Sequence, residues 1–245
     1  MTYCMALRLD DGLVFLADTR TNAGVDNVST YRKLHVFQPA PDRLFVLMSA
    51  GNLASTQQVL DRIEQDLSGP DPSGLATVSQ LFEAALYIGR LSTEVAEQHR
   101  PALSRKGADG TSSFLLGGQI AGERPDIFMI YPEGNYIRVS DDRPFLQIGE
   151  TKYGKLVLDL AVRGRADLQQ AAKVALSSMV TTARANLSVG PPYDLAMYHN
   201  GSFELLQGRI EADDPVIHQV EQLWSEHLLA GVDKLPRIHP DDFGG

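Results

Sequence analysis

The chain has 245 residues, 43% hydrophobic and 22% charged, a composition that excludes a disordered polymer and can bury a sizeable core without covalent staples. Its formal net charge of -9 argues against nucleic acid and anionic membranes as partners, since both reward a basic face. One cysteine, Cys4, excludes an internal disulfide and a cysteine metal site, and the six histidines show no HExxH or other ligand spacing.

In chain order, "YCMALRL" and "LVFLAD" are nearly continuous apolar runs joined by Asp10-Asp11-Gly12. That pattern predicts a hairpin whose strands are covered on both faces. "YRKLHVFQ" and "RLFVLMSAG" predict a second hairpin across Pro39-Ala40-Pro41-Asp42, with Lys33 on its first strand. Apolar residues then recur at helical spacing from Leu53 to Leu67 and from Val78 to about His99, with the breaker-rich loop Ser68 to Gly74 between them. A meander follows: "SSFLLGGQI", "DIFMIYP", "YIRVSD" and "PFLQIG", with a turn at Glu133-Gly134-Asn135. Helices are expected from about Thr151 to Val162 and from Asp167 to Asn186. "DLAMYHN" and "FELLQGRI" form a last strand pair through Asn200-Gly201, and a final helix spans roughly Pro215 to Leu229. Trp224 falls on an apolar run and is expected in the core. From about residue 231 the tail is polar and reads as loose or docked loop.

Strands and paired helices in this order lack the strict alternation of a parallel sheet. They predict an α+β protein, with two antiparallel sheets face to face and helices outside: a four-layer αββα sandwich. No linker or repeat divides the chain, so residues 1–245 read as one domain. No leader pattern opens the sequence, and no apolar run approaches the roughly 18 residues that span a bilayer, so the expected location is the cytoplasm.

Thr2 stands directly behind Met1, and excision of Met1 would uncover it. A free N-terminal threonine carries both a nucleophilic hydroxyl and an α-amine able to take its proton. An α-amine titrates near 7.7–8.0, and an adjacent ammonium lowers that value. The chemistry therefore asks for a lysine, with a carboxylate to hold it. Asp18 closes an otherwise apolar strand, where aspartate is a poor strand former, and the hairpin brings that end near Thr2. Lys33 supplies a compact ammonium, which the planar guanidinium of Arg32 does not match. "MSAGNLAS" passes from strand to helix through Gly51, where amide donors could stabilise an oxyanion. By contrast, "GETKYGKL" fits a phosphate-binding loop only in part, because Leu156 stands where that motif needs Ser or Thr.

Thr2, "ADTRTN" with Asp18 and Arg20, Lys33 and "SAGNLASTQ" together resemble the proteasome-type threonine peptidases. The likeness continues through "SFLLGGQ", "IFMIYPEGNYIRVS" and "IGETKYGKLVLDLA", covering nearly the whole chain, and is greatest to the Anbu branch, bacterial homologues of proteasome β-subunits and of the HslV peptidase. The resemblance implies the N-terminal nucleophile hydrolase fold. It implies Thr2 as nucleophile and general base, Lys33 tuning the amine, Asp18 partnering Lys33, and the Gly51 amide at the oxyanion. It also implies no metal, nucleotide or organic cofactor, self-assembly into a ring-like or helical homo-oligomer, and peptide or unfolded-protein substrates. An unfoldase ATPase fits as a partner, although no residue identifies one.

The sequence departs from the family pattern in places. "NLSVG" carries Asn186 and Val189 where the family has aspartate and serine, and Gly149-Glu150-Thr151 replaces its Gly-Ser-Gly turn. Glu150, Thr151 or Ser188 are the candidates to orient the amine instead. Met48 or Ser49 are the candidates to shape the substrate pocket. Two alternatives stand beside the peptidase: an inert assembly or peptide-binding subunit, and an N-terminal nucleophile amidase acting on a small amide.

Overall fold

The computed structural model describes residues 1–22, 28–162 and 166–237. The first hairpin pairs β1 (Tyr3–Leu9) with β2 (Gly12–Asp18), Leu9 opposite Gly12 and Cys4 opposite Ala17, and every residue of both strands is buried. A short ribbon of β3 (Arg20–Asn22) and β4 (Val28–Thr30) follows. The sequence reading misses this ribbon, because two three-residue strands with one apolar residue in all, Val28, are too short to carry an apolar alternation. Next come β5 (Leu34–Ala40), β6 (Arg43–Gly51), α1 (Leu53–Ser68), α2 (Leu81–Ser104), β7 (Ser112–Ile120), β8 (Asp126–Ile130), β9 (Tyr136–Arg138) and β10 (Phe145–Gly149). The chain finishes with α3 (Lys155–Ala161), α4 (Leu168–Ala185), β11 (Tyr193–His199), β12 (Leu205–Ile210) and α5 (Pro215–Val232).

Two five-stranded antiparallel sheets result, ordered β10-β1-β2-β11-β12 and β5-β6-β7-β8-β9. Strand alternation sorts their side chains into separate cores. Cys4, Ala6, Phe15 and Ala17 face Leu44, Val46, Met48 and Leu115 across the gap between the sheets. Tyr3, Met5, Leu7 and Leu16 face the other way, against Leu158 of α3, Ala175 and Met179 of α4, and Ile217 of α5. Phe45, Leu47, Phe114 and Phe128 face outward from the second sheet against Ile63 of α1 and Ala84, Ile88 and Val95 of α2. This is the four-layer αββα sandwich, and it explains why β1, β2, β6 and β7 read as unbroken apolar runs: each of these is covered twice, whereas the edge strand β12 is largely exposed. At about 1.5–3 kcal/mol per fully buried large apolar side chain, these three cores dominate the favourable side of folding.

Several boundaries move. The strand expected from Tyr31 begins at Leu34, which leaves Lys33 in an extended segment before the sheet. The helix expected from Thr151 forms only over Lys155–Ala161, after residues 150–154 have turned the chain away from β10. The helix expected from Val78 starts at Leu81, where the Glu83 carboxylate accepts from the amides of Ser79 and Gln80 at 2.7 and 3.1 Å. It then runs through Pro101 to Ser104, beyond its last buried apolar residue, Val95. Trp224 is not in the core: it is 38% exposed, on a helix that also exposes Leu223, Leu228 and Leu229. The tail expected from about residue 231 starts within α5, and from 238 it lies outside the described residues, as does His239. Among the described residues no helix is long and apolar enough to cross a membrane.

Candidate active site

The register of the first hairpin sets Asp18 beside the entry of β1, and the Tyr3 amide donates to its Oδ1 at 2.9 Å. The Lys33 ammonium donates to the same oxygen at 2.7 Å and to the Arg20 carbonyl at 2.6 Å. Lys33 reaches this point because the Ser49 amide donates to its carbonyl at 3.2 Å, fixing the segment ahead of β5. The unforeseen ribbon supplies that Arg20 carbonyl, and the Arg20 guanidinium donates to the Leu187 carbonyl at 3.0 Å. Both members of the ion pair are out of water, Asp18 at 0% and Lys33 at 5% exposure. Burial pushes the Asp18 carboxyl up, and the Lys33 ammonium and Tyr3 amide pull it back. Its second oxygen, Oδ2, is buried with no hydrogen-bond partner among the described residues.

Thr2 is half-buried, and its carbonyl accepts from the Glu150 amide at 2.7 Å. Gly149 makes that approach possible: it sits at φ 84°, and a Cβ there would lie 1.9 Å from the Thr2 oxygen. Gly51 ends β6 at φ 125°, and a Cβ there would meet the Thr111 carbonyl at 2.5 Å. Asn52 then caps α1 by accepting from the Ser55 amide at 3.2 Å. Thr2, Lys33, Ser49, Gly51, Leu53 and Thr56 line one cavity of about 360 Å³, with Met1 and Gly149 at its edge. Of the two expected pocket residues, Ser49 lines this cavity, whereas Met48 is packed between the sheets. The α-amine carried by Met1 is less basic than an ordinary one, through burial first and Lys33 second, with Asp18 and Glu150 opposing.

Two of the three candidates for orienting the amine, Glu150 and Ser188, meet at Asn186, whereas Thr151 makes no hydrogen bond to it. The Asn186 Nδ2 donates to Glu150 Oε2 at 2.9 Å, and its Oδ1 accepts from the amide and hydroxyl of Ser188 at 3.0 and 2.8 Å. Tyr3 was not singled out from the sequence, although it is fully buried beneath the site. Gln147 donates to its hydroxyl, the hydroxyl donates to Ser178 at 2.7 Å, and Ser178 donates to the Gly154 carbonyl at 3.0 Å. Burial pushes the Tyr3 phenol up to about 12, so it keeps its proton. Only its aromatic character in an apolar run hinted at this.

The partial phosphate-loop pattern folds differently. Its Gly149 is bound to β1, and Lys155 lies 3.9 Å from Asp159 one turn along α3. A larger cavity, about 450 Å³, lies at the far end of β1 around Arg8, Asp126 and Asp141 and contains none of the residues above. Among the described residues no group of three or more His, Cys, Asp or Glu is placed to hold a metal.

No protein-family profile matches the chain, and no curated protein matches it. Solved structures do. An Anbu mutant from Hyphomicrobium sp. strain MC1 is 43% identical over 98% of this chain and 100% of its own, with a TM-score of 0.89. Anbu, described as an ancestral beta-subunit, from Yersinia bercovieri is 42% identical over 97% and 100%, with a TM-score of 0.88. A helical assembly of the Anbu complex from Pseudomonas aeruginosa is 40% identical over 98% and 99%, with a TM-score of 0.91.

Proposed function

Because this chain belongs to the Anbu family of proteasome-like subunits, we propose that it is a threonine-type peptidase subunit acting within a homo-oligomer. Removal of Met1 exposes the Thr2 amine. The Thr2 hydroxyl attacks the scissile carbonyl carbon while the amine takes its proton. The tetrahedral intermediate collapses to an ester on Thr2 as the amine returns the proton to the leaving nitrogen. Water, activated by the same amine, then hydrolyses the ester. Lys33 keeps the amine available as free base, and Asp18 keeps Lys33 in place. The Gly51 amide, at the entry to α1, stabilises the oxyanion. Among the described residues the cavity presents no charged side chain other than Lys33, which is committed to Asp18, so it suits an uncharged substrate side chain.

The observation that carries this reading is the buried Lys33–Asp18 pair, 2.7 Å apart, on the rim of the cavity that Thr2 and Gly51 share. Self-assembly is supported by the exposed apolar face of α5 and by the helical assembly described for the Pseudomonas aeruginosa relative. The cytoplasm remains the proposed location, and an unfoldase ATPase a proposed partner. The test is mass spectrometry of the N-terminus, followed by reaction with a peptide electrophile. A mature start at Thr2 and a covalent adduct that Thr2→Ala abolishes support the peptidase. Retained Met1 without adduct supports the inert subunit.

A further inference from the structure

Glu150 follows the last residue of β10 and is more than nine-tenths buried. Its amide holds the Thr2 carbonyl at 2.7 Å. Its Oε2 accepts from Asn186, and the orientation of that amide is fixed by the Ser188 N–H, which can only donate to an oxygen. Among the described residues Glu150 forms no ion pair, and its Oε1 takes no hydrogen bond. Asp18 Oδ2 is the unpartnered side-chain oxygen that is cut off from water among the described residues, so Oε1 of Glu150 stays accessible and can receive a cation arriving beside it.

Among the described residues, Lys33 at this end of the sheet is taken up by Asp18 and the Arg20 carbonyl, and the Arg20 guanidinium by the Leu187 and Val189 carbonyls. The N-terminal ammonium is a further cation there, and among those residues it has no carboxylate within ion-pair distance. β1 runs between β2 and β10, so Asp18 and Glu150 flank the entry of β1 from opposite sides. The Met1 amine feels Lys33 from ahead of β5, Asp18 from β2 and Glu150 from beyond β10, and the Glu150 amide on the Thr2 carbonyl sets Glu150 beside the residue whose amine is uncovered when Met1 is removed. Of the two carboxylates, that of Glu150 has no competing cation among the described residues.

We propose that the Glu150 carboxylate, set by Asn186, is a positioning residue that binds the N-terminal amine and turns it toward the Thr2 hydroxyl. Its catalytic meaning rests on the threonine-peptidase reading. The contact itself does not.

The test therefore has a readout independent of turnover. Acetylation of the α-amine by acetic anhydride, quantified by mass spectrometry of the N-terminal peptide across pH, reports when that amine loses its proton. In Glu150→Gln the midpoint moves to lower pH by about one unit, because burial and Lys33 then act with less opposition. Asn186→Ala keeps the charge but frees it, and moves the midpoint part of the way. In a fluorogenic peptide assay Glu150→Gln lowers kcat about tenfold with KM unchanged, and its acid limb moves down in the same direction. Coincident acetylation curves for the wild type and Glu150→Gln overturn the proposal, whatever the peptide assay reads. Displaced curves with no turnover in the wild type support it, and remove the peptidase reading alone.

Discussion

At the far end of β1 the buried Arg8 guanidinium meets Asp126 at 2.6 Å and also Asp141, and Asp126 is met in turn by Arg138 at 3.1 Å. At the near end Lys33 and Asp18 are just as close, but the charges do not close on themselves. Among the described residues Asp18 keeps an oxygen without a partner, and the Glu150 carboxylate is held only by an amide. Both ends carry charge out of water on the same strand of the same sheet. A closed network supports the fold, because removing one member leaves another uncompensated. An open one has capacity left for a group that arrives or changes protonation, which is what chemistry requires.

Three substitutions test that contrast. Lys33→Met is expected to slow electrophile capture about a thousandfold, through loss of the ammonium beside the amine. It also destabilises the fold by about 3–5 kcal/mol, since Asp18 is left buried without a cation. Rates of adduct formation and urea unfolding measure the two effects, and near-wild-type capture would remove Lys33 from the chemistry. Arg8→Met should cost about 3 kcal/mol in urea unfolding, the low end for a buried pair because Arg138 still faces Asp126. Capture per folded molecule stays unchanged, and a parallel loss of capture would break the distinction between the two ends. Tyr3→Phe has the smallest effect, about 1 kcal/mol in the same unfolding experiment, as the hydroxyl linking Gln147 to Ser178 disappears. The Tyr3 amide still holds Asp18, so capture changes little.

The layers were legible in the sequence because β1, β2, β6 and β7 are covered on both faces and therefore read as unbroken apolar runs. The need for a lysine and an aspartate near Thr2 was legible as chemistry, and the first hairpin turn already implied where Asp18 would stand. Lys33 was misplaced onto a strand, since nothing local separates an extended segment from a paired one. The β3–β4 ribbon and the Asn186–Glu150 contact were not legible. The first is too short and polar to carry a period, and the second joins a helix end to a strand end 36 positions apart through tertiary packing alone.

Most chain ends lie loose on a surface, whereas here the opening strand is threaded between two neighbours, β10 and β2. Anything joined ahead of Met1 therefore has no slack to draw on and must emerge through the mouth of the cavity that Met1 already borders. An affinity tag or fluorescent fusion on that side would act as a plug, so such labels belong beyond α5.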